Sequence, residues 1–182
     1  MTEQVKITDE AAFFRSHLDG DAVLLSPEKS MQIQQALGAD VAMQLDDVVP
    51  LPCDPARVEQ AMRRSLEWAR RCRAAHTRPD QALFGIVQGV VYPDVRRASA
   101  RALVDMDFPG YAIGGLSVGE PTDIMYEFTD LSCRILPRDK PCYLMGVGTP
   151  ANLLECIALG VDMFDCVLPT RNARHGLIYT RE

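Results

Sequence analysis

The sequence lacks any apolar run long enough to cross a membrane, and no signal peptide opens it: its first ten residues, MTEQVKITDE, are polar and acidic. These absences predict a cytoplasmic chain with no membrane partner. A CxxC pair is also missing. The six cysteines, Cys53, Cys72, Cys133, Cys142, Cys156 and Cys166, are scattered, which argues against a metal site within these residues and against a small disulfide scaffold. Several sit in apolar helix or strand patterns, so reduced core thiols are expected. There is no excess of positive charge. A formal net charge of −6 excludes a surface that is basic everywhere, but a nucleic-acid partner needs only a local basic patch. No GxGxxG follows the first predicted strand, which leaves a dinucleotide fold with little support. No low-complexity segment or linker divides the chain. Its 182 residues, 47% hydrophobic and 24% charged, suit one domain with an ordinary core.

What the sequence does contain is an alternation of apolar runs and amphipathic helices. AVLLS (22–26) reads as a strand, followed by a helix with Ser26 as N-cap, Pro27 at its first position and Gly38 just past its end. VAMQL (41–45) is the next strand. Asp54 and Pro55 open a long helix with apolar positions at Val58, Met62, Leu66, Ala69 and Cys72. ALFGIVQ (82–88), YAIGGL (111–116), CYLMGV (142–147) and MFDCVL (163–168) are predicted strands. Helices are predicted over about 93–106, from Thr122 to about Ile135, and from Thr149 and Pro150 to Gly160. Arg63, Arg64, Arg70, Arg71, Arg73 and Arg78 are expected on the solvated face of the long helix.

Strand and helix repeated with short connections predict parallel βα units. Strands apolar on both faces predict a sheet covered on both sides. The fold class is therefore α/β, a parallel (β/α)8 TIM-barrel type. Such barrels typically need about 250 residues, and this chain supplies about five or six units. The final GLIYTRE resembles one more strand cut short, so an incomplete barrel is expected, a fragment or a shortened relative of a larger enzyme.

The active site of such a barrel lies at the C-terminal ends of its strands, and the unusual residues fall there. Asp46 and Asp47 follow VAMQL, Gln88 and Gly89 end ALFGIVQ, and Gly114 and Gly115 interrupt YAIGGL. Met145 and Gly146 end the CYLMG strand, and Asp165 lies near the end of the last strand. Each has an ordinary structural explanation: a helix cap, a satisfied loop carbonyl, a tight turn. Their coincidence at one rim points instead to a ligand. An aspartate and a glutamine suit the edge of a purine-like base, since one accepts from N–H groups and the other donates to a carbonyl. A methionine offers an apolar wall to a flat ring. An isolated carboxylate such as Asp165 can attack a sugar carbon, and Arg171 and Arg174 just beyond it suit phosphate.

Together these stretches resemble the tRNA-guanine transglycosylase (queuine tRNA-ribosyltransferase) family. SPEKSMQIQQALGADVAMQLDD, LFGIVQG, GYAIGGLSVGE, DKPCYLMGVGTPANL and GVDMFDCVLPTRNARHG carry the resemblance, in the family's order, from about Phe14 to Gly176. It implies a barrel that exchanges guanine at the tRNA wobble position for a 7-deazaguanine. Asp165 matches the nucleophile that attacks C1′ of the ribose, giving a covalent intermediate. Asp46 and Gln88 match residues binding the edge of the base, and Gly114, Gly115 and Leu116 match backbone that contacts it. Met145 resembles a residue stacked on the ring, with Tyr111 nearby in the same motif. Glu120 matches an acid supporting the GGL backbone. Gly146, Val147, Gly148, Thr149, Pro150, Ala151 and Asn152, with Thr170, Arg171, Asn172, Ala173 and Arg174, match segments that hold tRNA. The target nucleotide has to leave its stack to be reached.

The resemblance also implies a homodimer for the full-length protein and a structural zinc bound by a C-terminal CxCxxC and a distant histidine. Neither that motif nor the family's DSGGxQ-type motif, which carries the general acid/base aspartate, occurs in these 182 residues. No metal or cofactor is therefore expected within this chain. After Asp46 and Asp47 stands Val48, where typical bacterial relatives have a cysteine and use preQ1. MQLDDVV resembles the queuine-using eukaryotic type and GGLSVGE the bacterial one, so both bases stay open. A non-catalytic relative that binds tRNA or a catalytic protomer is the alternative expectation. A sugar-phosphate enzyme using Arg171 and Arg174 would leave the GGL and Asp46–Gln88 pattern unexplained.

Overall fold

The computed structural model describes residues 5–180. The chain runs β1 (Lys6–Ile7), β2 (Ala12–Arg15), β3 (Ala22–Leu25), α1 (Pro27–Leu37), β4 (Val41–Met43), α2 (Pro55–Ala75) and β5 (Ala82–Val87). It continues through α3 (Pro93–Asp105), β6 (Gly110–Ile113), α4 (Thr122–Cys133), β7 (Cys142–Leu144), α5 (Pro150–Leu159), β8 (Met163–Phe164) and α6 (Leu168–Arg174).

Strands β4 to β8 form one parallel sheet in sequence order, each followed by a helix. This is the incomplete parallel barrel predicted, with five βα units. Every strand points the same way, so the segments after β4, β5, β6, β7 and β8 emerge at one rim. Leu83, Val87, Tyr111, Ile113, Leu144 and Phe164 belong to or pack against the core cluster that contains Met125, Phe128, Leu103 and Cys156 of the helices. Successive strand side chains alternate between faces. Phe84, Ile86, Gln88, Ala112, Gly114, Tyr143 and Asp165 therefore share the opposite, concave side.

The helix signals act as the sequence predicts. The Ser26 side chain caps α1, which ends at Gly38 with φ 73°. The Asp54 side chain accepts from the Ala56 amide to start α2. Thr149 and Asn152 form a reciprocal capping box at α5, closed by Gly160 with φ 107°.

Five expectations are corrected. The AVLLS strand does not open the parallel sheet: β3 pairs antiparallel with β2, and β2 with β1, in a separate three-stranded sheet. The two preceding strands are two and four residues long, too short for their periodicity to register. The parallel strands are also shorter than predicted, because Gly115 (φ 63°) and Gly146 (φ 73°) turn the chain where an extended backbone would continue.

At the far edge, β8 stops at Phe164, and Leu168–Arg174 forms helix α6 with Pro169 in its first turn. Asp165 is accordingly exposed rather than buried in a strand. GLIYTRE forms no strand over residues 177–180; residues 181–182 lie outside the described part. Finally, the arginine cluster is not one solvated face. Arg63 and Arg70 are exposed, but Arg64 is buried, Arg71 pairs with Glu28, and Arg78 lies beyond the end of α2.

Among the described residues no helix is long and apolar enough to cross a membrane.

Candidate active site

Asp46 and Gln88 meet at the rim. Gln88 is buried at the end of β5, and its backbone amide donates to Ser99 Oγ of α3 at 3.0 Å. Its Nε2 donates to Asp46 Oδ2 at 2.5 Å. Burial pushes the Asp46 carboxyl up to about 6, the neighbouring Asp47 charge adds to the rise, and the bond from Gln88 opposes it. The two side chains thus present one acceptor-rich and one mixed edge side by side.

Gly114 and Gly115 make room for this pair. A Cβ on Gly115 would lie 2.5 Å from Gln88 Oε1, and one on Gly114 would lie 2.8 Å from Gln88 Nε2 and 2.6 Å from Ile86 Cγ2. The glycines are therefore required first by the glutamine amide. Leu116 follows, buried, and Glu120 supports the turn: its carboxylate accepts from the amides of Ser117 and of Val118, the latter at 2.9 Å.

Asp47, adjacent to Asp46, does different work. It is 1% exposed and is held by Arg57 at 2.7 and 2.9 Å, by Arg64 at 2.6 Å, and through its amide by Ser65 Oγ at 2.9 Å. This network ties the segment after β4 to α2 and leaves Asp46 facing Gln88.

At the other edge of the sheet, Asp165 Oδ1 accepts from the Tyr143 hydroxyl at 2.6 Å and from the Gly146 amide at 2.7 Å. Burial and the bond to Asp165 both push the Tyr143 phenol up, so it stays a donor. Met145 lies between, half-buried after β7, its amide reaching the Ile113 carbonyl at 3.4 Å.

A cavity of about 310 Å³ is lined by Glu120, Gly146, Val147, Gly148, Asn152 and Arg171, with Cys166 to Leu168. It brings together the GVG segment, the Glu120 turn and the first arginine of TRNAR. Thr149 and Asn152 also cap α5, and Asn152 donates to Tyr126 at 2.8 Å. Pro150 and Ala151 occupy the first turn of α5, exposed. Thr170, Asn172, Ala173 and Arg174 lie on α6 outside this cavity's lining.

Tyr111 is not brought to the rim. It lies at the start of β6, at the other end of the sheet and on the helix-facing side. It packs edge-to-face on Phe108 and accepts from the Phe108 amide at 3.2 Å.

Two residues absent from the sequence expectation belong to the site. Tyr143 shares the Asp165 face because Tyr143 pairs in register with Met163, two residues before Asp165. Strand alternation carried that signal. Arg96 is fully buried and bridges two rim loops, donating to the Val90 carbonyl at 2.8 and 3.0 Å and to the Gly114 carbonyl at 3.0 Å. Desolvation lowers its pKa to about 9. Its place on the apolar face of α3, one turn before Ser99 and Ala100, was the available signal.

Fold and site define a class: a barrel-type protein whose C-terminal rim carries a hydrogen-bonded Asp46–Gln88 pair at one edge of the sheet and a held carboxylate, Asp165, at the other. The family model for queuine tRNA-ribosyltransferase matches residues 1–182. Proteins called queuine tRNA-ribosyltransferase from Desulforamulus reducens, Symbiobacterium thermophilum and Staphylococcus aureus are 57%, 55% and 54% identical over 174, 175 and 178 residues. The matches cover 96%, 96% and 97% of this chain, and 47%, 44% and 47% of those relatives. The chain belongs to the queuine tRNA-ribosyltransferase family, and it spans about half the length of the curated relatives it matches.

Proposed function

We propose that this chain supplies the base-binding rim and the nucleophile of a cytoplasmic tRNA-guanine transglycosylase. The observation that carries the proposal is that the Asp46–Gln88 pair and the Asp165 carboxylate, the latter held by Tyr143 and Gly146, follow strands of one parallel sheet and so stand at the same end of it. An Asp165 oxygen attacks C1′ of the tRNA ribose as the bond to guanine breaks, and guanine leaves with a proton. A 7-deazaguanine, preQ1 or queuine, then attacks the same carbon and releases the carboxylate. Two displacements retain the configuration.

Asp46 accepts from the base N–H groups while the Gln88 amide turns to its carbonyl. Leu116 and Met145 supply apolar surface beside the ring, and Gly114 and Gly115 expose backbone to it. Glu120 keeps the following turn in place. Gly146–Asn152 and the α6 arginines, Arg171 and Arg174, meet tRNA phosphates.

The general acid/base aspartate and the structural zinc belong to motifs these residues do not contain. Among the described residues no group of three or more His, Cys, Asp or Glu is placed to hold a metal. Without the acid/base partner a loss on the order of 10²–10⁴ in rate is expected for the chain by itself. Homodimerisation is proposed for the longer protein only.

The test is a chimera in which this chain replaces the matching segment of the Desulforamulus reducens relative. Incorporation of labelled guanine into tRNA, lost with Asp165→Ala, supports the assignment. Exchange that survives this substitution refutes the nucleophile. A chimera that binds tRNA without exchange even with Asp165 intact favours the non-catalytic partner.

A further inference from the structure

We propose that Cys133 and Cys142 are a peroxide-reactive thiol pair that closes to a reversible disulfide joining the end of α4 to the start of β7. The inference does not depend on the transglycosylase assignment, since the pair sits at the opposite end of the sheet from the rim.

Cys133 is the last residue of α4 and Cys142 the first of β7. Their Sγ atoms are 3.9 Å apart, in van der Waals contact. Closing to the ~2.05 Å of a disulfide requires the two sulfurs, already in contact, to approach by a little under 2 Å. Cys142 is anchored on the strand, its amide donating to Asp162 Oδ2 at 2.8 Å and its carbonyl accepting from the Asp162 amide at 2.8 Å.

Both cysteines line a cleft of about 570 Å³ with Arg134, Arg138, Lys140 and Asp162. Arg134 is paired with Asp130, and Lys140 with Asp107. The cleft gives solvent, and so a small oxidant, access to the half-buried Cys133, whereas Cys142 is only 5% exposed. A hydrogen bond from Cys142 holds the Cys133 thiol below its ordinary range, and the same contact together with burial raises Cys142. Cys156, in α5, is fully buried and has no comparable sulfur contact among the described residues.

The two cysteines therefore take different roles. The Cys133 thiolate attacks one oxygen of a hydroperoxide, the O–O bond breaks, and with hydrogen peroxide the departing hydroxide becomes water on taking the thiol's proton. Cys133 is left as a sulfenic acid. Cys142 sulfur then attacks the Cys133 sulfur, the S–O bond breaks, and hydroxide leaves with the Cys142 proton as a second water. Two thiols are oxidised by two electrons and one peroxide is reduced.

The test is graded hydrogen peroxide on the 182-residue chain, with thiol blocking and peptide mapping by mass spectrometry before and after reduction. Cys133 and Cys142 are expected to disappear together into a single 133–142 cross-link that dithiothreitol reverses, with Cys72 and Cys156 still alkylatable after unfolding. With Cys142→Ser, Cys133 should proceed to sulfinic acid with no intrachain disulfide. With Cys133→Ser, Cys142 should stay reduced at the same dose. Independent oxidation of the two, a cross-link from either to another cysteine or chain, or unslowed oxidation of Cys142 in the Cys133→Ser chain overturns the proposal.

Discussion

The Tyr143 hydroxyl donates 2.6 Å to Asp165 Oδ1, the oxygen that also receives the Gly146 amide at 2.7 Å. One carboxylate oxygen is thus taken by two donors, which leaves the other oxygen for the attack proposed above. Hydrogen bonds to a charged group contribute about 1.5–3 kcal/mol. Tyr143→Phe in the chimera should therefore lower guanine exchange roughly 10- to 100-fold, mostly in kcat. Steady-state kinetics with labelled guanine decide it, and an unchanged kcat would remove Tyr143 from the mechanism.

Gly115→Ala should uncouple Gln88 from Asp46. The new methyl would lie 2.5 Å from Gln88 Oε1 at a position with φ 63°. A non-glycine residue held there costs on the order of 1 kcal/mol in strain, and the Gln88 amide has to leave Asp46. Base affinity should drop at least tenfold, measured by calorimetry with guanine, while the fold persists by circular dichroism. Unaltered affinity would mean that Gln88 does not read the base.

Asp46 sets a pH dependence of stability. Its pKa is raised from 3.8 to about 6 in the folded chain, so between those values the folded state binds more protons than the unfolded one. Unfolding free energy then falls as pH rises through this window and levels off above it. This rise corresponds to about 3 kcal/mol at most. Asp46→Asn should flatten this slope and raise stability near pH 7, seen in urea melts from pH 4 to 7.5. An identical pH slope in the variant would refute the burial argument.

Asp47 should behave differently from its neighbour. Asp47→Ala leaves Arg64, whose side chain is only 7% exposed, without its buried partner. Breaking such a pair costs about 3–5 kcal/mol, so a large fall in the urea midpoint is expected. A loss below 1 kcal/mol would show that the Asp9 contact suffices for Arg64.

The sequence by itself determined the helices, because their caps and stops are local: Ser26 and Gly38, Asp54, Thr149 and Gly160 each act within one turn. It determined the parallel βα order for the same reason, and it gathered Asp46, Gln88, Gly114, Gly115 and Asp165 at one rim, since a parallel sheet sends every strand end the same way. Only the tertiary structure decided which of two adjacent aspartates faces Gln88, because Arg57 and Arg64 of α2 claim Asp47. It removed Tyr111 from the rim and brought in Tyr143, a choice of sheet face that depends on register between strands. It also turned Ala22–Leu25 into an antiparallel sheet with two strands too short to leave a period. Pairing partners lie far apart in sequence, and the hydrophobic pattern of one strand does not name its neighbour.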